Sequence, residues 1–137
     1  MNIFFDSSAL VKRYIEEEGS GRVEKISRKA GDVMVSMICL PEIISAMNRE
    51  RREGSINPGQ YEIIKQRLLS EFEDFLSCPL TPDVIALSIG LLEKFSLRAM
   101  DALHIASALE IRADVFVSAD KDQLRAAKKL RLKVYAV

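Results

Sequence analysis

The sequence predicts an α/β fold, a three-layer α/β/α sandwich around a mostly parallel sheet of about five strands. Short apolar, β-branched runs alternate along the chain with longer stretches of helical spacing, a pattern typical of parallel sheets covered by helices. The 137 residues are 48% hydrophobic and 29% charged, a composition typical of globular chains with a substantial core. No linker, internal repeat or low-complexity segment interrupts the alternation, so we expect one domain over residues 1–137.

The first half of the chain is predicted to contain two strands and four helices. Glycine commonly ends helices and proline is tolerated in a helix's first turn, so these residues mark the boundaries. The predicted elements are a strand at residues 3–5, a helix at 8–17 ended by Gly19, a helix at 24–30 stopped at Gly31, a strand at 33–36, a helix at 40–53 that holds Pro41 in its first turn and ends at Gly54, and a helix that begins at Pro58.

The second half is predicted to contain three strands and three further helices. After Pro58, apolar residues continue at helical spacing, namely Tyr61, Ile64, Leu68, Phe72, Phe75 and Leu76. Pro79 lacks an amide hydrogen, so residues 77–80 can form at most an edge strand. Thr81 and Pro82 are a good N-cap and first-turn pair for a helix that reaches Phe95. The remaining elements are a helix at residues 99–112, a strand at 115–117, a helix at 121–130 and a strand at 133–136.

The charge of the chain is balanced, because 20 Lys and Arg residues face 20 Asp and Glu residues. Net charge therefore does not indicate a nucleic-acid partner, although local potential still can. Between residues 121 and 133 the basic residues are Lys121, Arg125, Lys128, Lys129, Arg131 and Lys133, with Asp122 as the one acidic residue. This run is either a solvated helix face or, through residues such as Arg125 and Lys128, a contact for an RNA backbone.

The two cysteines, Cys39 and Cys78, lie in segments that we predict to be buried. They lack CxxC spacing, which argues against a metal knuckle or a disulfide scaffold. The first apolar run is short and meets Asp6, so the sequence indicates no signal peptide. No apolar run approaches the roughly 20 residues that span a membrane, and we expect a cytoplasmic protein without a membrane partner.

Carboxylates accompany the predicted strands at the edge where the carboxyl ends of parallel strands meet. Asp6 directly follows the first strand, and Asp120 follows the fourth together with Ser118. Glu42 and Asp101 lie in the first turns of predicted helices. Because sites in open α/β sheets form at this edge, at a switch in strand order, we expect the four carboxylates to share one rim. Each of them alone is also explained as an acid that favours a helix N-terminus.

Four carboxylates on one rim would repel one another. At a separation of about 4 Å and an effective dielectric near 20, one pair costs roughly 4 kcal/mol. Such a cluster persists if it shares protons or binds a cation. Oxygen ligands without His or Cys select Mg²⁺ or Mn²⁺ over zinc, and a magnesium site of this kind indicates phosphate chemistry.

Four segments of the chain resemble the PIN-domain nucleases, in particular the VapC-like toxins of prokaryotic toxin–antitoxin pairs. These segments are "FFDSSALVKRYIEEEGS", "PEII", "LRAMDALHIASAL" and "FVSADKDQLRAAKKLRLKVYAV", which span nearly the whole chain in the family order. The resemblance implies a PIN-like sheet of about five parallel strands and Mg²⁺-dependent cleavage of RNA by an endoribonuclease. It also implies a homodimer and a cognate antitoxin that wraps the domain and blocks the acidic rim.

The resemblance assigns roles to particular side chains. By the matching positions, Asp6, Glu42, Asp101 and Asp120 are the catalytic residues and the metal ligands. Ser8 and Ser118 match hydroxyl positions that usually support such a site.

Other assignments stay open. Asp122 either shares the role of Asp120 or is a carboxylate that favours the helix dipole. His104, the single histidine, is interpreted as a packed residue rather than a general base. Arg98 and Lys12 either neutralise the scissile phosphate or flank solvent.

Two rival functions remain. A haloacid-dehalogenase-like phosphatase also begins with a strand and an Asp, but it requires a second Asp two residues on, where this chain has Ser8. The non-enzymatic rival is a catalytically inactive PIN-like scaffold that binds RNA or a partner protein. The complete acidic set argues against that rival, and metal binding discriminates the two.

Overall fold

The structure, a computed structural model that describes residues 1–137, is built on a five-stranded sheet in which every strand pair is parallel. The strands are β1 (Asn2–Phe5), β2 (Asp32–Ser36), β3 (Leu76–Cys78), β4 (Val115–Ser118) and β5 (Lys133–Ala136). Their order in the sheet is β3-β2-β1-β4-β5. The strand order therefore reverses direction between β1 and β4, at the centre of the sheet, which is where open α/β sheets hold their sites.

Helices cover both faces of the sheet and complete the predicted three-layer α/β/α architecture. They are α1 (Ser7–Leu10), α2 (Ser20–Lys29), α3 (Cys39–Arg52), α4 (Pro58–Phe72), α5 (Pro82–Lys94), α6 (Ala99–Glu110) and α7 (Lys121–Lys129), and a 3₁₀ helix (Val11–Arg13) follows α1. The buried residues of α1 to α4 belong to one hydrophobic core and those of α5 to α7 to another. The sheet separates these two cores.

The central strand β1 contributes to both cores, as the alternation of side chains along a strand requires. Ile3 and Phe5 pack into the core below α1 to α4, and Phe4 packs into the core below α5 to α7. Phe4 stacks on Phe116 of β4, with ring centroids 5.6 Å apart. Each of these side chains is almost fully buried, which stabilises the fold by about 1.5–3 kcal/mol per side chain and holds the end of β1 in place.

The predicted helix over residues 8–17 is helical only as far as Arg13, and its second half there is a 3₁₀ helix rather than an α-helix. The α-helix α1 is four residues long, the 3₁₀ helix ends at Arg13, and residues 15–18 are not helical. Three successive glutamates, Glu16 to Glu18, would stand at the C-terminus of the longer helix, where the helix dipole disfavours negative charge. The chain then turns through Gly19, which has a left-handed φ of 94°, and α2 begins at Ser20, four residues earlier than predicted.

The helix that begins at Pro58 ends at Phe72 rather than continuing through Phe75 and Leu76. Phe75 lies in the turn that follows, where its ring contacts that of Phe72 with centroids 5.2 Å apart, and Leu76 begins β3. The sequence pattern failed here because an apolar residue that packs from a turn has the same spacing as one on a helix face. The strand itself is at the sheet edge, as Pro79 requires, but over residues 76–78 rather than 77–80.

The other predicted elements are present, with boundaries that differ by a few residues. Thr81 caps α5 by accepting from the amide of Val84, and Asn57 caps α4 in a reciprocal arrangement with Gln60. Cys39 and Cys78 are buried, as predicted, and both are free. The chain contains no helix of the length and apolar character that a membrane span requires.

Candidate functional site

The site is built at the carboxyl ends of β1 and β4, where the strand order reverses. Asp6 directly follows β1 and is the N-cap of α1. Asp120 lies two residues after the end of β4 and is the N-cap of α7. Both residues therefore satisfy the helix-capping interpretation and the rim interpretation at once, because the helices start at the rim of the sheet.

Asp6 is fully buried and its carboxylate is surrounded by hydrogen-bond donors. The Ser118 hydroxyl donates to Oδ2 at 2.6 Å, and the Ser8 hydroxyl lies 2.8 and 2.9 Å from the two oxygens. The Ala9 amide donates to Oδ1 at 2.9 Å. Ser118 also accepts from the amide of Asp120 at 2.9 Å, so one hydroxyl links the segments that carry the two carboxylates.

Burial raises the pKa of Asp6, and the hydrogen bonds and the nearby His104 only partly oppose it. A carboxylate that is costly to ionise in a dry site gains when a cation approaches it. The environment of Asp6 therefore favours either protonation of its carboxyl group or a cation beside the ionised carboxylate.

Glu42 projects from the first turn of α3 and is held by two side chains. His104 of α6 lies with Nε2 2.6 Å from Oε1 of Glu42, and the Ser7 hydroxyl donates to the same oxygen at 2.7 Å. Because a carboxylate only accepts, Nε2 carries the proton in this hydrogen bond. Helices α3 and α6 pack on opposite faces of the sheet, so this contact joins the two outer layers across the rim.

His104 is 2% exposed and packs edge-on against Phe4, with ring centroids 6.3 Å apart. The prediction of a packed histidine is confirmed, but its hydrogen bond to Glu42 was not predicted. Burial works to raise the pKa of Glu42, and the bonds from His104 and Ser7 outweigh it and hold that pKa below its usual range. Glu42 is thereby kept ionised, and the oxygen Oε2 remains available to a ligand.

Asp101 lies in the first turn of α6 and faces α7. Its Oδ1 accepts from the Gln123 side-chain amide at 3.0 Å, and its Oδ2 lies 3.5 Å from the guanidinium of Arg98. Burial and the repulsion of Asp120 raise the pKa of Asp101, while Arg98 and His104 act against this rise. The shared neighbour Arg98, whose guanidinium lies 3.5 Å from Asp101 and 4.0 Å from Asp120, places the two carboxylates on the same part of the rim.

The guanidinium of Arg98 lies beside both of these carboxylates. It is 4.0 Å from Oδ2 of Asp120 as well as 3.5 Å from Asp101, and its side chain is 86% exposed. Oδ1 of Asp120 is used for capping α7, where it accepts from the amides of Asp122 and Gln123. A positive group therefore already stands beside the outward oxygens of Asp101 and Asp120, in a position from which it can move into solvent.

Hydrogen bonds, ion pairs and short chain segments link the residues that carry the four carboxylates, but the carboxylates are not gathered around one point. No three carboxylate, imidazole or thiolate side chains lie close enough together to enclose a metal ion as they stand. The donor set nevertheless fits Mg²⁺ or Mn²⁺ in its chemistry, because all four donors are carboxylate oxygens. The cationic Arg98 between Asp101 and Asp120 shows that this part of the rim accommodates positive charge.

Two contributors to the rim were missed by sequence reasoning, Ser7 and Gln123. Ser7 follows Asp6 directly, so the run "DSS" was a signal, but of its two serines only Ser8 was predicted to support the site. Gln123 is 3% exposed and its oxygen Oε1 has no hydrogen-bond partner, which no local pattern indicates.

The other open residues are accounted for by specific contacts. Asp122 is exposed in the first turn of α7, with Oδ1 3.4 Å from Arg125. The ammonium of Lys12 is held by Glu17 at 3.2 Å and by the carbonyl of Glu18 at 2.6 Å, away from the carboxylates of the rim.

A wholly parallel five-stranded α/β sheet with carboxylates from four chain segments at its switch point defines an α/β domain with an acidic site. The family model of the PIN domain matches residues 3–129. The chain therefore belongs to the PIN domain family.

Solved structures repeat the fold at low sequence identity. FitAcB from Neisseria gonorrhoeae is 16% identical with a TM-score of 0.71, over 97% of this chain and 96% of that one. VapC20 from Mycobacterium tuberculosis, described as a sarcin-ricin loop cleaving toxin, is 18% identical with a TM-score of 0.70, over 90% and 94% of the two chains. A toxin–antitoxin complex from Klebsiella pneumoniae is 16% identical with a TM-score of 0.67, over 88% of each chain. No curated protein matches the sequence at a significant level.

Proposed function

We propose that this protein is a Mg²⁺-dependent endoribonuclease that hydrolyses phosphodiester bonds in RNA. The observation that carries the proposal is the connected set of carboxylates at the switch point, in a chain of the PIN domain family. Asp6, Glu42, Asp101 and Asp120 would hold the ion, with Mn²⁺ as an alternative. A bound Mg²⁺ ion supplies Lewis acidity to a phosphoryl oxygen and makes water a better nucleophile at neutral pH.

The protein's own contribution is to hold these carboxylate oxygens in fixed orientations at the rim. Ser8 and Ser118 orient the Asp6 carboxylate, and Ser7 and His104 hold one oxygen of Glu42. Arg98 would leave Asp101 and Asp120 when a metal ion takes its place. Its guanidinium is well suited to a phosphate of the RNA, because it offers paired donors in a planar fork.

The test is cleavage of total RNA by purified protein with Mg²⁺, with Mn²⁺ and with EDTA. The variant Asp101→Asn should lose cleavage by at least about 100-fold, since it removes a charge from the ligand set. Asp83→Asn is the matched control, because Asp83 is also a first-turn acid of a helix, α5, and is exposed. Full Mg²⁺-dependent cleavage by Asp101→Asn, with the loss appearing in Asp83→Asn instead, would contradict the assignment.

We also propose that the protein is the toxin of a toxin–antitoxin pair and that it forms a homodimer. Support comes from two structural neighbours, of which one is described as a toxin–antitoxin complex and the other as a member of a family of toxin–antitoxin systems. The antitoxin would cover the acidic rim and so block access of RNA. A reading frame next to this one whose product co-purifies with the protein and stops RNA cleavage is the expected finding, and light scattering of the purified protein measures the dimer.

A second function is favoured by one observation, that no three of these side chains are positioned to enclose an ion. An inactive PIN-like scaffold would bind RNA or a partner protein without a metal. Titration with Mn²⁺ separates the two functions, because a nuclease site binds the ion and the scaffold does not.

A further inference from the structure

A cleft of about 300 Å³ lies between the end of α5 and the outer face of α7. One wall consists of Lys94, Phe95 and Ser96, which close α5 and begin the connection to α6. The other wall consists mainly of Arg125 and Lys129, which lie one helical turn apart on α7. We call this feature the α5–α7 cleft.

The α5–α7 cleft carries an excess of positive charge. Three of its lining side chains are cations and one, Asp122, is an anion. Asp122 is 3.4 Å from Arg125, but both side chains are about two-thirds exposed, at 65% and 67%, so this ion pair is weak and easily exchanged. Neither Lys94 nor Lys129 forms an ion pair within the protein.

Both walls of the cleft lead directly to the acidic rim. Ser96 precedes Arg98 by two residues, and Arg98 contacts Asp101 and Asp120. On the other wall, Asp122 follows Asp120 by two residues. Two residues span at most about 7 Å, so the cleft and the rim are neighbouring parts of one surface.

Phe95 adds an aromatic surface to these cations. The Nζ atom of Lys94 lies 5.4 Å from the centre of the Phe95 ring, and the ring is half-buried against the core below α5 to α7. A cationic groove with an aromatic side chain is the combination by which proteins bind single-stranded nucleic acid, since the cations contact phosphates and the ring contacts a base.

We propose that the α5–α7 cleft binds the nucleotide next to the cleaved bond in single-stranded RNA. Lys94, Arg125 and Lys129 contact its phosphates, and the base lies against Phe95. This inference rests on the proposed nuclease function, because it takes the acidic rim as the place of cleavage. In this proposal α5 and α7 contact the substrate, whereas the proposed metal ligands lie in other segments or, for Asp120, directly before α7.

The test is binding of a fluorescein-labelled single-stranded RNA of about eight nucleotides, a length within the usual site sizes, by the full chain in EDTA. The cleft variant replaces Lys94, Arg125 and Lys129 with Gln. The matched control replaces Arg22, Lys25 and Lys29 of α2 with Gln, which removes the same charge on the opposite face of the sheet. Circular dichroism melts establish that both variants fold.

We expect the cleft variant to bind the RNA at least about tenfold more weakly at low salt, and the control to stay within about twofold of wild type. The slope of log K against log salt should fall by about 2 in the cleft variant, because each lost phosphate contact removes about 0.7 on a single strand. Phe95→Leu should weaken binding without changing that slope. If Phe95→Leu melts early, the charge variants alone decide.

Equal loss in the cleft and α2 variants, or no loss in either, would overturn the proposal. Equal binding of a polyglutamate peptide of matched charge would also overturn it, because the cleft would then recognise anions rather than RNA. Failure of the nuclease proposal is a separate result. If wild-type protein binds RNA through the cleft but never cleaves it, the cleft proposal stands and the nuclease proposal is wrong. If the protein cleaves RNA normally and the cleft variant binds RNA as wild type does, the nuclease proposal stands and the cleft proposal is wrong.

Discussion

Asp6 shows how one side chain is both a structural cap and a candidate ligand. Its carboxylate accepts from the Ala9 amide and from two serine hydroxyls, yet its complete burial still raises its pKa. An ionised carboxylate at this position therefore destabilises the folded protein in the absence of a cation. Sites that bind charged ligands commonly carry such a penalty, because their geometry serves the ligand rather than the empty fold.

Replacing Asp6 with Asn should raise the free energy of unfolding at neutral pH while it abolishes RNA cleavage. Asn keeps the capping oxygen and removes the buried charge. Because the folded-state pKa is raised above the usual value of 3.8, the folded protein binds a proton more readily than the unfolded chain. The penalty for the ionised carboxylate therefore develops as the pH rises from about 3.8 through the raised pKa. The stability advantage of Asp6→Asn should shrink as the pH falls through the raised pKa toward about 3.8, as urea titrations at several pH values would measure.

Neutral-pH stability of Asp6→Asn below that of wild type would show that the hydrogen bonds outweigh the cost of burial. Ser88→Ala serves as a control for general effects of buried polar substitutions, because Ser88 bonds only to the carbonyl of Ile85 within α5.

At the scale of secondary-structure elements, Glu71 explains how the segment after α1 is held without a long helix. Arg13 and Tyr14 each contact Oε2 of this α4 residue, at 2.8 and 2.7 Å. Arg67 donates to Oε1 at 2.8 Å. These contacts attach the end of the 3₁₀ helix to α4 and lower the pKa of Glu71 to about 2.

Glu71→Gln should reduce the free energy of unfolding at neutral pH by about 1–2 kcal/mol, a range reduced for partial solvent exposure. The folded pKa of about 2 lies below the usual value of 4.5, so the stabilisation is present above about 4.5 and is lost as the pH falls toward about 2. This pH dependence has the opposite sign to that of Asp6.

Chemical denaturation of wild type and Glu71→Gln between neutral and acidic pH measures the effect. Glu62→Gln is the matched control on the same helix, because Glu62 is 58% exposed and pairs only with Lys65. A stability difference for Glu71→Gln that stays constant across the acidic range would contradict the assignment.

At the scale of the whole molecule, the acidic rim joins the layers of the fold. Glu42 and His104 connect α3 with α6 across the sheet. The contacts of Arg98 with Asp120 and of Gln123 with Asp101 connect α6 with α7. An ion bound among the carboxylates would add to this connection, and its binding energy would appear as stability of the whole fold.

Mn²⁺ should therefore raise the melting temperature of the wild-type protein. At a concentration of about 100 times the dissociation constant, the gain in the free energy of unfolding is about 2.7 kcal/mol. Asp101→Asn should show a much smaller gain, and Asp83→Asn should respond like wild type. Differential scanning calorimetry with and without Mn²⁺ makes this measurement, and equal shifts in all three proteins would show that the ion binds elsewhere.

Most of the fold was predictable because its signals are local. The apolar runs of β1, β2 and β4, the Thr81 cap and the edge position that Pro79 requires depend on residues close together in the chain. The failures came where local patterns compete. Residues 14–17 were predicted to continue the first helix, but Arg13 and Tyr14 bond to Glu71, which is more than fifty residues away, and this contact holds a different conformation.

The sequence by itself determined the fold class, the order of the elements and the positions of Asp6, Glu42, Asp101 and Asp120 at strand ends and helix starts, because each depends on local periodicity and capping. Only the tertiary structure decided which side chains of the rim contact one another. The bond from His104 to Glu42, the bond from Gln123 to Asp101 and the position of Arg98 depend on the packing of α3, α6 and α7 around the sheet. Contacts between distant segments leave no periodic signal in the chain, so they appear once the helices have been placed.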